Sequence, residues 1–237
     1  MKELEGRVAI VTGAGRNIGR AIALELAAAG ARVVVNAKSS KSEIDAVAAE
    51  AGGLAVLADV TDEAAVARMV EQAVGRFGRL DILVNNAAIR AVESLDRIDF
   101  VRWREVTGVI LDGAWLCARA CLPHLGKEGS IVNIGGMSAH AGAAGRPHVV
   151  AAKAGLVGLT RALAHDLAPR GVTVNCVVPG LIETKRTSAS AYAARESLLG
   201  RRGTPEEVAA AVRFLAGPGA RYITGQALHV NGGGFLG

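Results

Sequence analysis

Short, wholly apolar runs alternate with longer helix-period stretches from one end of this 237-residue chain to the other, and that alternation restricts the fold more than any other feature. The runs at 8–11, 32–35, 54–58, 80–84, 130–134, 173–177 and 227–230 read as strands. They are continuously hydrophobic rather than alternating, as strands covered on both faces are. Between them, 18–29, 41–51, 62–77, 100–125, 149–167 and 206–215 carry the helical period. Thr61-Asp62-Glu63 and Thr204-Pro205-Glu206-Glu207 mark helix starts, and Gly30 and Gly52 stand where helices stop. Such a βαβ series specifies an α/β fold, a single doubly wound parallel sheet of Rossmann type with about seven strands and helices on both faces. No linker or repeat divides it, so 1–237 is read as one domain. Only 180–203 is irregular, and it follows a strand, where substrate loops sit.

Composition excludes several classes of function. Net charge is +5 without any run of Lys or Arg, and aromatics are scarce (four Phe, two Trp, two Tyr), so base-stacking nucleic-acid binding is not expected. Cys117 and Cys121 lie four apart on one helix face and read, with Cys176, as small buried hydrophobes. No His or Cys stands at metal-ligand spacing, and no metal site is expected. Residues 1–7 lack an apolar signal region and no apolar run is long enough to span a membrane, so a cytoplasmic protein is expected.

The first strand runs into Thr12-Gly13-Ala14-Gly15-Arg16-Asn17-Ile18-Gly19, which opens a helix. Glycines there permit a tight turn and let backbone approach a pyrophosphate, whose charge meets the helix N-terminus. A dinucleotide is the expected ligand. The second strand ends in Asn36-Ala37-Lys38-Ser39-Ser40, without the acid that would hold an adenosine ribose and repel a 2′-phosphate. With Lys38 and Arg16 nearby in sequence, NADP(H) is expected over NAD(H).

These motifs resemble the short-chain dehydrogenase/reductase family over nearly the whole chain. Its Thr-Gly-x-x-x-Gly-x-Gly turn is similar to residues 12–19, with Asn17 in place of the middle glycine, a residue that tolerates left-handed backbone. Its acid after the third strand resembles Asp59-Val60, its Asn-Asn-Ala-Gly resembles Asn85-Asn86-Ala87-Ala88, and its Pro-Gly resembles Pro179-Gly180, with Thr184 beyond. The stretch 223–233 is similar to the family's last strand. The resemblance implies a nucleotide held by Gly13, Gly15, Arg16, Asn17, Ile18 and Gly19, then by Ala37, Lys38, Ser39, Asp59 and Val60. It adds Asn86, Ala87, Ala88, Ile134 and Lys153, and on the last side Pro179, Gly180, Ile182 and Thr184.

The family's chemistry uses a Tyr and a Lys four apart, a Ser about a dozen residues earlier and an Asn on the preceding long helix. Lys153 matches, but Val149 stands at the Tyr position, Gly136 at the Ser position and Ile110 at the Asn position. A developing alkoxide needs a donor, and Val, Gly and Ile supply none. The stand-ins available are, in order, Ser138, His148, Tyr192 in the irregular segment, and His140. Three readings follow: an NADP(H)-dependent oxidoreductase of a small carbonyl or alcohol with a non-standard proton donor, an inactive nucleotide-binding regulator, or a non-redox enzyme on the same scaffold. The long apolar helices 100–125 and 149–167 predict a homo-oligomer, dimer or tetramer.

Overall fold

The computed structural model describes residues 2–184 and 197–237. Seven strands form one parallel sheet: β1 (Val8–Val11), β2 (Arg32–Ala37), β3 (Leu54–Leu57), β4 (Leu80–Asn85), β5 (Leu125–Ile134), β6 (Thr173–Pro179) and β7 (Ala227–Val230). Their order across the sheet is β3-β2-β1-β4-β5-β6-β7. The helices are α1 (Asn17–Ala28), α2 (Lys41–Ala51), α3 (Glu63–Phe77), α4 (Phe100–Thr107), α5 (Gly113–Cys121), α6 (Ser138–Ala141), α7 (Pro147–Leu167) and α8 (Pro205–Ala216).

Continuously apolar strands divide their side chains between two cores. Ala9 and Val11 face Ile22, Leu26, Val208 and Val212 of α1 and α8, while Val8 and Ile10 face Met69, Val70, Cys117 and Cys121 of α3 and α5. The helix ends follow local chemistry. Asp62 accepts from the Ala65 N–H at 3.0 Å at the start of α3. At α8, Thr204 Oγ1 accepts from the Glu207 N–H while the Glu207 carboxylate accepts from the Thr204 N–H, a reciprocal cap. Gly52 ends α2 in the left-handed region at φ +61°.

The expected single helix 100–125 is corrected. It is α4 and α5 joined by a π turn, Gly108–Asp112, in which the Gly113 N–H reaches the Gly108 carbonyl five residues back. The glycines at both ends of this turn give way most readily to the wider spiral. The helix stops before Pro123, and Leu125 pairs with Leu80, so β5 begins five residues earlier than its apolar run suggests. The helix expected at 149–167 starts two residues sooner, with Pro147 in its first turn. The single turn α6 carries no apolar period.

The strand order reverses between β1, which pairs with β2, and β4, on its other side. That leaves a crevice at the carboxyl ends of the strands. At the opposite, amino ends, Asp81 is buried and accepts from the Val8 N–H at 2.9 Å, from Arg7 at 3.2 Å and from Arg79 at 2.6 and 2.9 Å. Removing this carboxylate orphans the buried Val8 N–H and takes from Arg79 its carboxylate partner, while Arg7 keeps Glu128 at 2.8 Å. Asp81→Ala is expected to lower unfolding stability by about 2 kcal/mol, read from the urea midpoint, with ligand binding at the far end of the sheet unchanged.

Candidate functional site

The cleft at the crevice has a volume of about 1880 Å³. Its first wall is the turn after β1. Gly13 (φ +60°) and Asn17 (φ +52°) both take left-handed backbone, which explains why Asn serves where the family pattern has Gly. A Cβ on Gly19 would sit 2.3 Å from the Gly13 carbonyl oxygen and 2.5 Å from Asn86 Nδ2. Asn86 Nδ2 donates to the Thr12 and Gly13 carbonyls, each at 2.9 Å, and Thr12 Oγ1 accepts from the Asn86 and Ala87 N–H groups at 3.0 and 3.1 Å. The turn and the end of β4 are thereby locked together, and the N-terminus of α1 opens on the cleft.

At one end, Lys38 Nζ stands 2.8 Å from Asp59 Oδ2. Hydrogen bonding to Asp59 raises the Lys38 ammonium above its ordinary range. Burial pushes the Asp59 carboxyl up, but hydrogen bonds from Lys38 and from the Thr61 N–H and hydroxyl outweigh it and hold the carboxyl below its usual value. Arg16 lies 3.9 Å from Glu43, and the residue at the end of β2 is Ala37. No carboxylate therefore projects from that strand end.

At the other end, Lys153 is buried on α7 and donates to the Ile134 carbonyl. Burial pushes its ammonium down to about 8, with Cys176 opposing and Arg90 adding to the depression. Ser138 and Val149 line the same wall. A Cβ on Gly136 would meet only Ser138 Oγ, at 3.9 Å, so that position has room for a side chain and the Ser138 hydroxyl stands beside it. Ile110, in the π turn, is buried behind Val149. The two pack in one apolar cluster with Ala91, Val106 and Ala152. Beneath, Asn85 Nδ2 donates to Asn133 Oδ1 at 2.9 Å, Asn133 Nδ2 to Thr160 Oγ1 at 2.9 Å, and Thr160 to the Leu156 carbonyl.

Residues 13–234 match the family model described as enoyl-(acyl carrier protein) reductase. The chain is 41% identical over 242 aligned positions to the 3-oxoacyl-[acyl-carrier-protein] reductase FabG of Salmonella typhimurium, covering 98% of both. It is 44% identical over 243 positions to the 3-oxoacyl-[acyl-carrier-protein] reductase of Synechocystis, again covering 98% of both. This chain belongs to the short-chain dehydrogenase/reductase family. Among solved structures, a short-chain dehydrogenase of Burkholderia cenocepacia in complex with NADP superposes with a TM-score of 0.93 at 38% identity, covering 98% of this chain and 99% of that one. A blue fluorescent protein from a metagenomic library, in complex with NADPH, also gives 0.93, at 36% identity over 99% of this chain and all of that one.

Set on the short-chain dehydrogenase/reductase scaffold, every residue named above for the nucleotide, from Gly13 to Thr184, lines this one cleft. Of the possible proton donors, Ser138 is in the cleft wall. His148 is not: it is fully buried, its Nε2 is 3.9 Å from Glu93, and burial lowers its pKa against the pull of that carboxylate. As a helix neighbour of Val149 it points about 100° away from the cleft. His140 packs its ring on His229, with centroids 4.6 Å apart, and on Phe235. Tyr192 lies outside the described residues, and Tyr222 is exposed and does not line the cleft. Among the described residues no three His, Cys, Asp or Glu converge as metal ligands, and no helix is long and apolar enough to cross a membrane.

Sequence reasoning missed the Asn85–Asn133–Thr160 chain, although two Asn in apolar strands at paired register positions are a usable signal. It also missed Arg90 and Arg146 in the cleft wall, since isolated loop arginines carry no local pattern.

The buried amine has a measurable signature. Unfolded, Lys153 titrates near its ordinary 10.5, and folded near 8, so between those values the folded chain has already lost the proton that the unfolded chain keeps. Stability therefore rises with pH across that window, and below it the buried charge costs on the order of 3 kcal/mol. Urea unfolding of the unaltered protein and of Lys153→Met from pH 7 to 10.5 should show the difference between them moving in favour of Lys153 as pH rises.

Proposed function

We propose that the protein is an NADP(H)-dependent oxidoreductase acting on a small carbonyl compound or its alcohol, and that it runs this reaction without the family's tyrosine. The observation that carries the reading is the cleft, whose wall brings together the glycine turn Gly13–Gly19, the N-terminus of α1, the buried Lys153 and Ser138. FabG relatives named as 3-oxoacyl reductases and neighbours solved with NADP and NADPH support it.

The glycine turn fits a dinucleotide because it brings bare backbone, with no side chain on Gly13, Gly15 or Gly19, to the cleft wall. The N-terminus of α1 and its N–H groups would face the pyrophosphate. Lys38 and Arg16 would meet a 2′-phosphate, with Asp59 ceding Lys38. This is the basis for NADP(H) over NAD(H). A nicotinamide bound there would supply a hydride to the carbonyl carbon, or accept one from the alcohol, with the balancing proton passing between the substrate oxygen and the Ser138 hydroxyl, which exchanges it with solvent in the cleft. Lys153, charged at neutral pH, would hold the nicotinamide ribose. The Ser138 hydroxyl would hydrogen-bond the substrate oxygen in place of the family serine, from beside the space that Gly136 leaves open.

A second reading, a nucleotide-binding protein without turnover, is favoured by one observation: Ile110 and Val149 fill with hydrocarbon the positions from which the family delivers and relays a proton. We also propose self-association through α4 and α5, where Phe100 and Trp115 are exposed and do not line the cleft.

Fluorescence titration should give NADPH a dissociation constant at least about tenfold below that of NADH, and equal affinities would reject the Lys38 assignment. The double change Gly136→Ser with Val149→Tyr restores a hydroxyl where there is room for one and a phenol facing the cleft. It should raise NADPH-dependent ketone reduction by roughly 10²-fold, the scale of one positioned proton donor. Unchanged rates would show that the pocket no longer presents a carbonyl to that wall.

A further inference from the structure

The wall that carries Ser138 is supported from behind by residues that do not line the cleft. Ser138 opens α6, a single turn of four residues, none of them buried. The turn is closed by the His140 and Ala141 N–H groups on the Met137 carbonyl and by the Gly142 N–H on the Ser138 carbonyl, each at 3.0 Å. One turn of helix does not hold itself together in water. A hydroxyl at position 136 would stand directly after β5, where the Gly135 N–H is fixed to the Val177 carbonyl at 2.8 Å. Ser138 lies two residues farther out and needs a support of its own. A stack of three rings supplies it. His140 meets the His229 ring edge-on, with centroids 4.6 Å apart, and Phe235 lies 5.6 Å from His140 and stacks on His229 at 5.4 Å.

His229 belongs to β7, and the stretch after it is shaped to deliver Phe235. Asn231 Oδ1 accepts from the Gly233 N–H at 2.9 Å, the Asn231 carbonyl accepts from the Gly234 N–H at 3.0 Å, and Asn231 Nδ2 donates to the Phe235 carbonyl at 3.0 Å. Gly232 and Gly233, at φ +61° and +79°, let the chain reverse over Asn231. The same turn presses on two more cleft-wall residues. A Cβ on Gly180 would sit 2.7 Å from Asn231 Cα, and one on Gly234 would sit 3.1 Å from Met137 Sδ. No residue from 227 to 237 lines the cleft itself.

We infer that Phe235 and His229 are positioning residues, which clasp the His140 ring and so hold α6, and with it the Ser138 hydroxyl, in the cleft wall. They act only through His140, since neither ring reaches the cleft. The inference rests on the reading above in which Ser138 meets the substrate oxygen. A group that must face a reacting atom depends on supports of this kind, because a displacement of about 1 Å costs on the order of 10²-fold in rate.

The test is hydrogen exchange of the full chain, read by mass spectrometry on peptides covering α6. In the unaltered protein the amides of His140, Ala141 and Gly142 should exchange at least about tenfold more slowly than in an unstructured chain. Phe235→Ala and His229→Ala should each abolish most of that protection, and Phe235→Tyr and His229→Phe, which keep a ring, should restore it. The urea midpoint and the NADPH affinity of Phe235→Ala should not move. Reduction of ethyl acetoacetate, diacetyl and cyclohexanone, followed by loss of NADPH fluorescence, should fall roughly tenfold or more in kcat/KM in Phe235→Ala for whichever is a substrate, with KM for NADPH unchanged. Free exchange at α6 in the unaltered protein overturns the inference without any variant. So does protection that survives Phe235→Ala, a loss shared equally by β1 and β4, or a tyrosine that fails to restore what alanine removes. A loosened α6 with undiminished turnover also overturns it, because Ser138 is then not the group that meets the substrate. If exchange behaves as expected and none of the three ketones is reduced by the unaltered protein, the ring support is upheld and the reductase reading fails.

Discussion

The turn after β1 and the end of β4 approach each other more closely than any side chain between them would permit. Gly19 has no room for a single carbon, and the Asn86 amide occupies the space on the Gly13 side, donating to two successive carbonyls of the turn. Thr12 accepts the N–H groups of Asn86 and Ala87 in return. This reciprocal lock sets where α1 begins and therefore where its positive N-terminal end points. The adjoining walls depend on it. The loop from Ala87 to Glu93 departs from the locked residue, and α7 is anchored to that loop through Gly145.

The opposite wall is organised by hydrocarbon. Ile110, Val149, Ala91, Val106 and Ala152 form one cluster at the junction of the π turn, the β4 loop and α7. The π turn re-aims the helix so that Ile110 packs inward behind Val149. A polar group at either position would need a partner that the cluster does not contain. Polar satisfaction continues just below, where Asn85, Asn133 and Thr160 pass hydrogen bonds from β4 through β5 to α7. The boundary between these layers is sharp, and Lys153 sits on it, with its amine on the Ile134 carbonyl and its stem among buried residues.

The strands, their parallel pairing and the layered arrangement were legible because unbroken apolar runs have few alternatives to burial on both faces, and because Asp62 and the Thr204–Glu207 pair cap helices by chemistry local to the sequence. The division of 100–125 was not legible. Glycine permits a π turn but does not demand one, and the extension of β5 to Leu125 depends on its partner Leu80 across the sheet. At the site, residues in contiguous motifs were found because the motif is itself the geometry. His148 and His140 were misplaced as cleft residues because one position along a helix, or one loop conformation, decides which way a ring turns. Arg90 and Arg146 were invisible for the converse reason, since each enters the cleft wall from a loop tied down by a backbone hydrogen bond, Glu93 to Gly145, between segments 52 residues apart in sequence.

The carboxylate of Asp81, gripped by Arg7, Arg79 and the Val8 amide, lies at the amino ends of the strands, a full strand length from the cleft. Contributions from sites so far apart combine almost independently. Stability and chemistry are thus entrusted to opposite rims of one sheet. Side chains around Gly136, Val149 and Ile110 can be exchanged without touching the fastening that keeps the sheet folded. On such a scaffold an activity can lapse, drift to another substrate or return within a few substitutions, and each intermediate along that path is still a folded protein open to selection.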